Sequence, residues 1–147
     1  MSIPNEQPTM GPRKGAGAGA DAADRLANQS QLDFDIAFFR RVLDREPAYV
    51  DVLRCQGQLL SRKGLHDEAL AIDRRLVELR PGDGVAHYNL ACSLALGGHP
   101  REAIAQLRVA LERGYDDFEF LETDSDLDSV REHPLYNELM RRFGVSV

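Results

Sequence analysis

From Phe34 onward, apolar side chains recur three or four positions apart, which is the spacing of one helix face rather than the alternation of a strand. The first such run contains Ile36 and Leu43, and Pro47 ends it because proline cannot continue a helix. The same period continues through most of the remaining chain. The pattern therefore predicts an all-α fold.

Glycine, proline and aspartate mark the limits of the following helices. Gly64 is placed to end the second helix, since glycine readily adopts the left-handed conformation found just past a helix. Pro81 ends the third helix, and Asp83 is a predicted N-cap for the fourth. Pro100 suits the first turn of the fifth helix, where no backbone N–H is needed. The helices are therefore short and joined by tight turns.

The predicted helices repeat at a fixed interval along the chain. Shifting the sequence by this interval superposes identical residues. The superposed pairs are Leu60 and Leu94, Gly64 and Gly98, Glu68 and Glu102, Ala69 and Ala103, Ala71 and Ala105, Arg74 and Arg108, and Glu78 and Glu112. A helix–turn–helix period of this length, about 34 residues, resembles the tetratricopeptide repeat.

The resemblance assigns two complete repeats, residues 50–83 and 84–117, preceded by an incomplete one over residues 32–49. The residues that match the family pattern are Leu53, Gln56, Gly57, Leu60, Ala69, Asp73 and Pro81, then His87, Leu90, Ala91, Leu94, Ala103, Leu107 and Tyr115. Gln56 and Asp73 are polar where the family is apolar, and Tyr115 replaces the closing proline. The resemblance implies a short right-handed α-solenoid of antiparallel helical hairpins.

Residues 118–147, the C-terminal unit, depart from the repeat and resemble the closing segment of small tetratricopeptide proteins. Asp126 is a predicted cap for a short helix, and Pro134 opens a last one. Because stacked repeats leave an apolar end, we expect this unit to cover it.

A calcium site is the alternative for the same unit. Asp124, Asp126 and Asp128 match the start of an EF-hand loop. However, Ser129 stands where the loop needs glycine, and Leu135 where it needs glutamate. We therefore predict no metal site.

Charge is concentrated in one part of the chain. The net charge is −6, and residues 115–133 hold eight acids and one base, a net charge of −7. This acidic balance argues against a general nucleic-acid or membrane-surface binder.

Residues 1–31 are rich in glycine, proline and alanine, so we predict a disordered tail ahead of a helical domain over residues 32–147. Within this tail, the alanine-rich stretch from Asp21 to Ala27 could form a turn or two of helix. The tail lacks the apolar run of a secretory signal, which makes the cytoplasm the expected location. Cys55 and Cys92 are expected to be free thiols there.

No catalytic or cofactor motif is evident. Gly15 and Gly17 imitate a dinucleotide-binding loop, but that loop needs a strand before it. The four histidines show no metal-ligand spacing, and no serine or cysteine has an evident base beside it. We therefore expect no cofactor and no enzyme activity.

The family resemblance implies a non-catalytic protein-interaction module that binds a partner peptide or helix in a concave groove. The groove positions are Asp51, Arg54, Gln58, Ser61 and Arg62 in the first repeat, and Val85, Tyr88, Asn89, Cys92 and Leu96 in the second. Arg54 and Asn89 also match positions where some relatives clamp a terminal carboxylate. The match to that clamp is partial, because Gln58 stands where an asparagine is usual and the remaining basic positions hold Glu119 and Thr123.

Two alternatives remain open. The incomplete first hairpin could leave Phe34, Phe38 and Phe39 uncovered and so pair two chains into a homo-oligomer. The acidic strip could instead bind a basic partner, as in an accessory subunit of an enzyme complex.

Overall fold

The computed structural model describes residues 22–145, and no strand occurs among them. The helices are α1 (Ala22–Arg45), α2 (Val50–Arg62), α3 (His66–Leu79), α4 (Gly84–Leu96), α5 (Pro100–Glu112), α6 (Phe118–Thr123), α7 (Asp128–Arg131) and α8 (Pro134–Arg142). A single 3₁₀ turn, Ser125–Leu127, lies between α6 and α7. The prediction of an all-helical chain is confirmed for this part of it.

The helix starts recur at the same interval as the sequence repeat. Helix α2 starts at Val50 and α4 at Gly84, while α3 starts at His66 and α5 at Pro100, so the two pairs of starts are equally far apart. Helix α2 packs on α3, α3 on α4, and α4 on α5, and α1 packs on α2. Each helix between α1 and α5 therefore lies against the next one in the sequence.

The predicted start and stop signals act as expected. The Asp83 carboxylate accepts hydrogen bonds from the backbone amides of Val85 and Ala86, so it caps α4. Gly64 has a φ of 81° and follows α2, where the chain turns left-handed. Pro100 occupies the first turn of α5.

Helix α4 lies at the centre of the molecule, and ten of its 13 residues are buried. It packs against α3, α5 and the C-terminal unit, which leaves little of its circumference exposed. The main core joins α4 and α5 to the C-terminal unit through large apolar side chains. These include Leu90, Leu94, Leu107, Leu121, Leu127, Val130 and Met140. Because these side chains form one cluster, the C-terminal unit is part of the domain core.

The polar residues that interrupt the repeat pattern make buried hydrogen bonds between helices. The Gln56 side chain donates to the backbone carbonyl of Ile36 at 3.1 Å and so ties α2 to α1. The Ser93 hydroxyl donates to the Asp73 carboxylate at 2.5 Å and ties α4 to α3. Pairing of this kind lowers the cost of burying the Gln56 amide nitrogen and the Asp73 carboxylate, while Gln56 Oε1 makes no hydrogen bond with the described residues.

The structure corrects the predicted tail boundary. Helix α1 begins at Ala22, so residues 22–31 are helical rather than part of a disordered tail. Alanine and leucine give this stretch a good helix propensity, and the helix continues without a break into its packed second half. Residues 1–21 of the predicted tail lie outside the described residues.

Gly84 marks the closest approach of α4 to the end of α5. A Cβ atom there would lie 3.0 Å from the Ala110 carbonyl and 3.1 Å from the Tyr115 amide. We predict that Gly84→Ala lowers the free energy of unfolding by about 1–3 kcal/mol, because backbone atoms would have to move apart. Gly82→Ala is the matched control, since a Cβ atom at Gly82 meets nothing within 4 Å. Urea unfolding of both variants checks this, and equal stabilities would contradict it.

Candidate functional site

Eight of the ten predicted groove residues are exposed or half-buried. They are Asp51, Arg54, Gln58, Ser61 and Arg62 on α2, and Val85, Asn89 and Leu96 on α4. We call this set the α2–α4 face.

Helical geometry places the first and last residues of the α2–α4 face on the same side of each helix. Residues eleven positions apart return to nearly the same side of a helix, with a rotation of about 20°. Asp51 and Arg62 therefore share one side of α2, and Val85 and Leu96 share the equivalent side of α4. Val85 and Leu96 are each 38% exposed, which makes them apolar contacts open to a partner.

An ion pair joins the two helices beside this face. The Arg54 guanidinium contacts the carboxylate of Asp83, the residue that caps α4. Burial by itself would raise the pKa of Asp83. The hydrogen bond from Arg54, the two backbone amides and the guanidinium charge outweigh burial and lower that pKa. The charged Asp83 carboxylate therefore orients Arg54 and also accepts hydrogen bonds from the first backbone amides of α4.

Tyr88 and Cys92, the other two predicted groove residues, are buried beneath the C-terminal unit. Tyr88 is 0% exposed and Cys92 is 2% exposed. The Tyr88 hydroxyl donates to Asp124 Oδ2 at 2.7 Å, and the Cys92 thiol donates to the same oxygen at 3.6 Å. The structure thus corrects the assignment of these two residues to an open groove.

The ring of Tyr88 is fixed by a second aromatic residue. It stacks on Tyr115 with ring centroids 4.3 Å apart and an angle of 7° between the ring planes. Burial raises the pKa of Tyr88, and the electrostatic influence of neighbouring Cys92 and Asp124 and the hydrogen bond to Asp124 act in the same direction. The phenol is therefore held in its neutral, hydrogen-donating form.

Asp124 has a structural role that the sequence interpretation did not assign to it. Its Oδ1 accepts the backbone amide of Asp126 at 3.0 Å, so Asp124 caps the 3₁₀ turn, where Asp126 was the expected cap. Asp124 as a whole is 5% exposed, and both of its carboxylate oxygens accept hydrogen bonds. A signal was present, since an aspartate directly before a helical turn commonly caps it by accepting the amide two residues further on.

The backbone around Asp124 is held by Arg131. One Arg131 nitrogen donates to the Leu121 carbonyl at 2.9 Å and to the Asp124 carbonyl at 2.5 Å. The Ser129 hydroxyl adds a hydrogen bond to the Ala95 carbonyl on α4 at 3.3 Å. These contacts fix the C-terminal unit across α4.

Asp128 of the calcium alternative does not join Asp124 and Asp126 in one group of ligand atoms. Among the described residues, Asp124 and Asp126 come together with Cys92, and their ligand atoms lie within 4.8 Å of one another. The Asp124 oxygens are engaged by the hydrogen bonds described above. Asp128 is exposed and pairs instead with Arg131.

His87 is a packing residue between helices. Its Nδ1 lies 2.7 Å from the Gln106 side-chain oxygen, and its Nε2 lies 2.7 Å from the Pro81 carbonyl. Both ring nitrogens are thus used in joining α4 to α5 and to the turn after α3.

No family model matches the chain. It is similar to a chloroplastic protein from Arabidopsis thaliana, with 29% identity over 94 residues. The alignment covers 62% of this chain and 28% of the length of the relative. The relative's name places that protein in the chloroplast, so the cytoplasmic location stays a prediction for this chain. None of the helices in residues 22–145 has the length and apolarity to cross a membrane.

The contact between Tyr88 and Asp124 is testable by removing one hydroxyl. We predict that Tyr88→Phe lowers the free energy of unfolding by about 1–3 kcal/mol, because it leaves a buried carboxylate short of a donor. In a chain that already carries Asp124→Asn, Tyr88→Phe should lower the free energy of unfolding by less, since the buried carboxylate charge is gone. Tyr49→Phe is the control, because Tyr49 is exposed. Denaturant unfolding measures all four variants, and an equal loss from Tyr88→Phe in both backgrounds would contradict the contact.

The lowered pKa of Asp83 predicts a pH-dependent effect of Asp83→Asn. The stability that an aspartate gains from a lowered pKa is fully present above its unfolded pKa and is lost as the pH falls through the folded pKa. We expect the variant to be less stable than the parent at neutral pH by about 1 kcal/mol. The difference should shrink as the solution is acidified through the range where Asp83 becomes protonated. Thermal unfolding across this range checks it, and a constant difference would contradict the assignment.

Proposed function

We propose that the chain is a tetratricopeptide-like solenoid whose α2–α4 face binds a segment of a partner protein. In this proposal the chain has no catalytic group of its own and acts as a scaffold or adaptor. Two facts support the fold: helix starts that recur at the interval of the sequence repeat, and the packing of each helix against its neighbour along the sequence.

The observation that carries the function is the chemical make-up of the α2–α4 face. Val85 and Leu96 expose apolar surface on a helix that is otherwise almost entirely buried. The α2 side of the face is polar, with Asp51 and Arg62 exposed and Gln58 half-buried. Apolar contacts beside a polar, charged margin are the usual composition of a protein-binding surface.

The Arg54 ion pair bears on the kind of segment that would bind. A terminal carboxylate would have to compete with Asp83, which already contacts the Arg54 guanidinium. Apolar side chains of an internal or helical segment could instead reach Val85 and Leu96 without displacing that ion pair. We therefore favour an internal segment over a clamped terminus.

Affinity capture with matched variants tests this proposal. We predict that Val85→Asp and Leu96→Asp each weaken capture of the partner about tenfold or more, since each puts a charge where an apolar contact forms. Leu135→Asp is the control, because Leu135 is an equally exposed apolar residue on α8, away from this face. Quantitative mass spectrometry of the captured proteins is the readout.

Tyr88→Ala would be a poor test, because Tyr88 belongs to the core. Circular dichroism should first show that all three aspartate variants remain helical. If both face variants then retain the same captured proteins as the parent chain, the α2–α4 face is not the binding surface.

A further inference from the structure

Helix α1 carries large apolar side chains on two opposite sides. One side packs into the domain through Ile36, which is 2% exposed. The other side presents Phe34 and Phe38, which are 61% and 47% exposed. Phe39 is half-buried, so of the three phenylalanines expected to be uncovered, two lie fully on the outer side.

A continuous seam of exposed residues runs along the outer side of α1. At 100° per residue these positions fall within about 50° of a common direction. They are Ala23, Ala27, Ser30, Phe34, Phe38, Arg41 and Arg45, and all seven are exposed. We call them the α1 seam.

The first half of α1 has little support from the rest of the domain. Residues 22–31 are all exposed, although an isolated helical stretch of this length is only marginally stable in water. Residues 1–21 offer only three large apolar side chains, Met1, Ile3 and Met10. Their composition is therefore poorly suited to covering two exposed phenylalanines.

The sizes of the seam residues suit an antiparallel pair, in which the α1 seam of one chain faces the same seam of a second chain running in the opposite direction. The small residues Ala23, Ala27 and Ser30 lie on one side of Phe34, and the large residues Phe38, Arg41 and Arg45 lie on the other. An antiparallel pair centred on Phe34 sets each small residue against a large one. The facing pairs are Ala23 with Arg45, Ala27 with Arg41, Ser30 with Phe38, and Phe34 with its own copy.

The charges of α1 favour the same antiparallel direction. Residues 22–33 carry a net charge of −1, and residues 34–45 carry +1. Reversal brings Arg45 of one copy to the first turn of the other helix, which contains Asp24. It also sets the two helix dipoles in opposite directions. A parallel pair would place like charges and equal sizes together.

We propose that the α1 seam binds a second copy of this chain, forming a two-fold antiparallel helix pair centred on Phe34. This surface is separate from the α2–α4 face, so each protomer of the dimer keeps that face. A two-fold contact of this kind is closed, because each copy uses the same residues and no further copy can add.

The oligomeric state is the first test. Sedimentation of the full chain from micromolar to submillimolar concentration should show a monomer–dimer equilibrium. Phe34→Glu and Phe38→Glu should each raise the dimer dissociation constant about tenfold or more, while Leu135→Glu leaves it unchanged. A monomer at every concentration overturns the proposal. A dimer that neither phenylalanine variant weakens also overturns it.

Cysteine cross-linking tests the direction and register. In a Cys55→Ser background, Ala27→Cys combined with Arg41→Cys should form an intermolecular disulfide under mild oxidation. Within one helix these positions are about 21 Å apart, too far for an intramolecular disulfide. Ala27→Cys alone should not cross-link, because its copy lies about 21 Å away in the antiparallel pair. Cross-linking by the single variant, or none by the double variant, overturns the proposed arrangement.

Discussion

The buried carboxylate of Asp124 is the interaction on which the arrangement of the molecule depends. A buried carboxylate is tolerated only when its oxygens are hydrogen-bonded, and here Tyr88, Cys92 and the Asp126 amide serve as donors. These donors come from both α4 and the C-terminal unit. The carboxylate therefore fixes the position of that unit across α4 and decides which residues of α4 remain open to solvent.

Two surfaces result from this arrangement. The centre of α4, at Cys92, is closed, while its ends remain exposed at Val85 and Leu96 next to the polar residues of α2. Helix α1 exposes Phe34 and Phe38 on its outer side. The proposed partner site thus lies on the middle helices of the array, and the proposed dimer contact lies on its first helix. Residues 118–145 pack over α4 and α5, and α1 carries the surface to which we propose that a second copy binds.

Local features were predictable from the sequence because their causes are local. Asp83 caps α4, Gly64 ends the turn after α2, and Pro100 begins α5, each within a few residues of the signal that predicts it. The burial of Tyr88 and Cys92 was not predictable in this way, since it depends on a unit that follows much later in the chain. The groove assignment assumed an open helix face, and only tertiary packing shows that Asp124 closes it.

Thiol reactivity tests the central claim, that the C-terminal unit covers α4. The chain has two cysteines, half-buried Cys55 and buried Cys92. Burial, followed by the nearby charge of Asp51, raises the pKa of Cys55 and slows its reaction but leaves it accessible. Peptide mapping after treatment with a thiol reagent should show Cys55 modified in the folded chain and Cys92 modified only after denaturation. Modification of Cys92 in the folded chain at the rate of Cys55 would contradict the account.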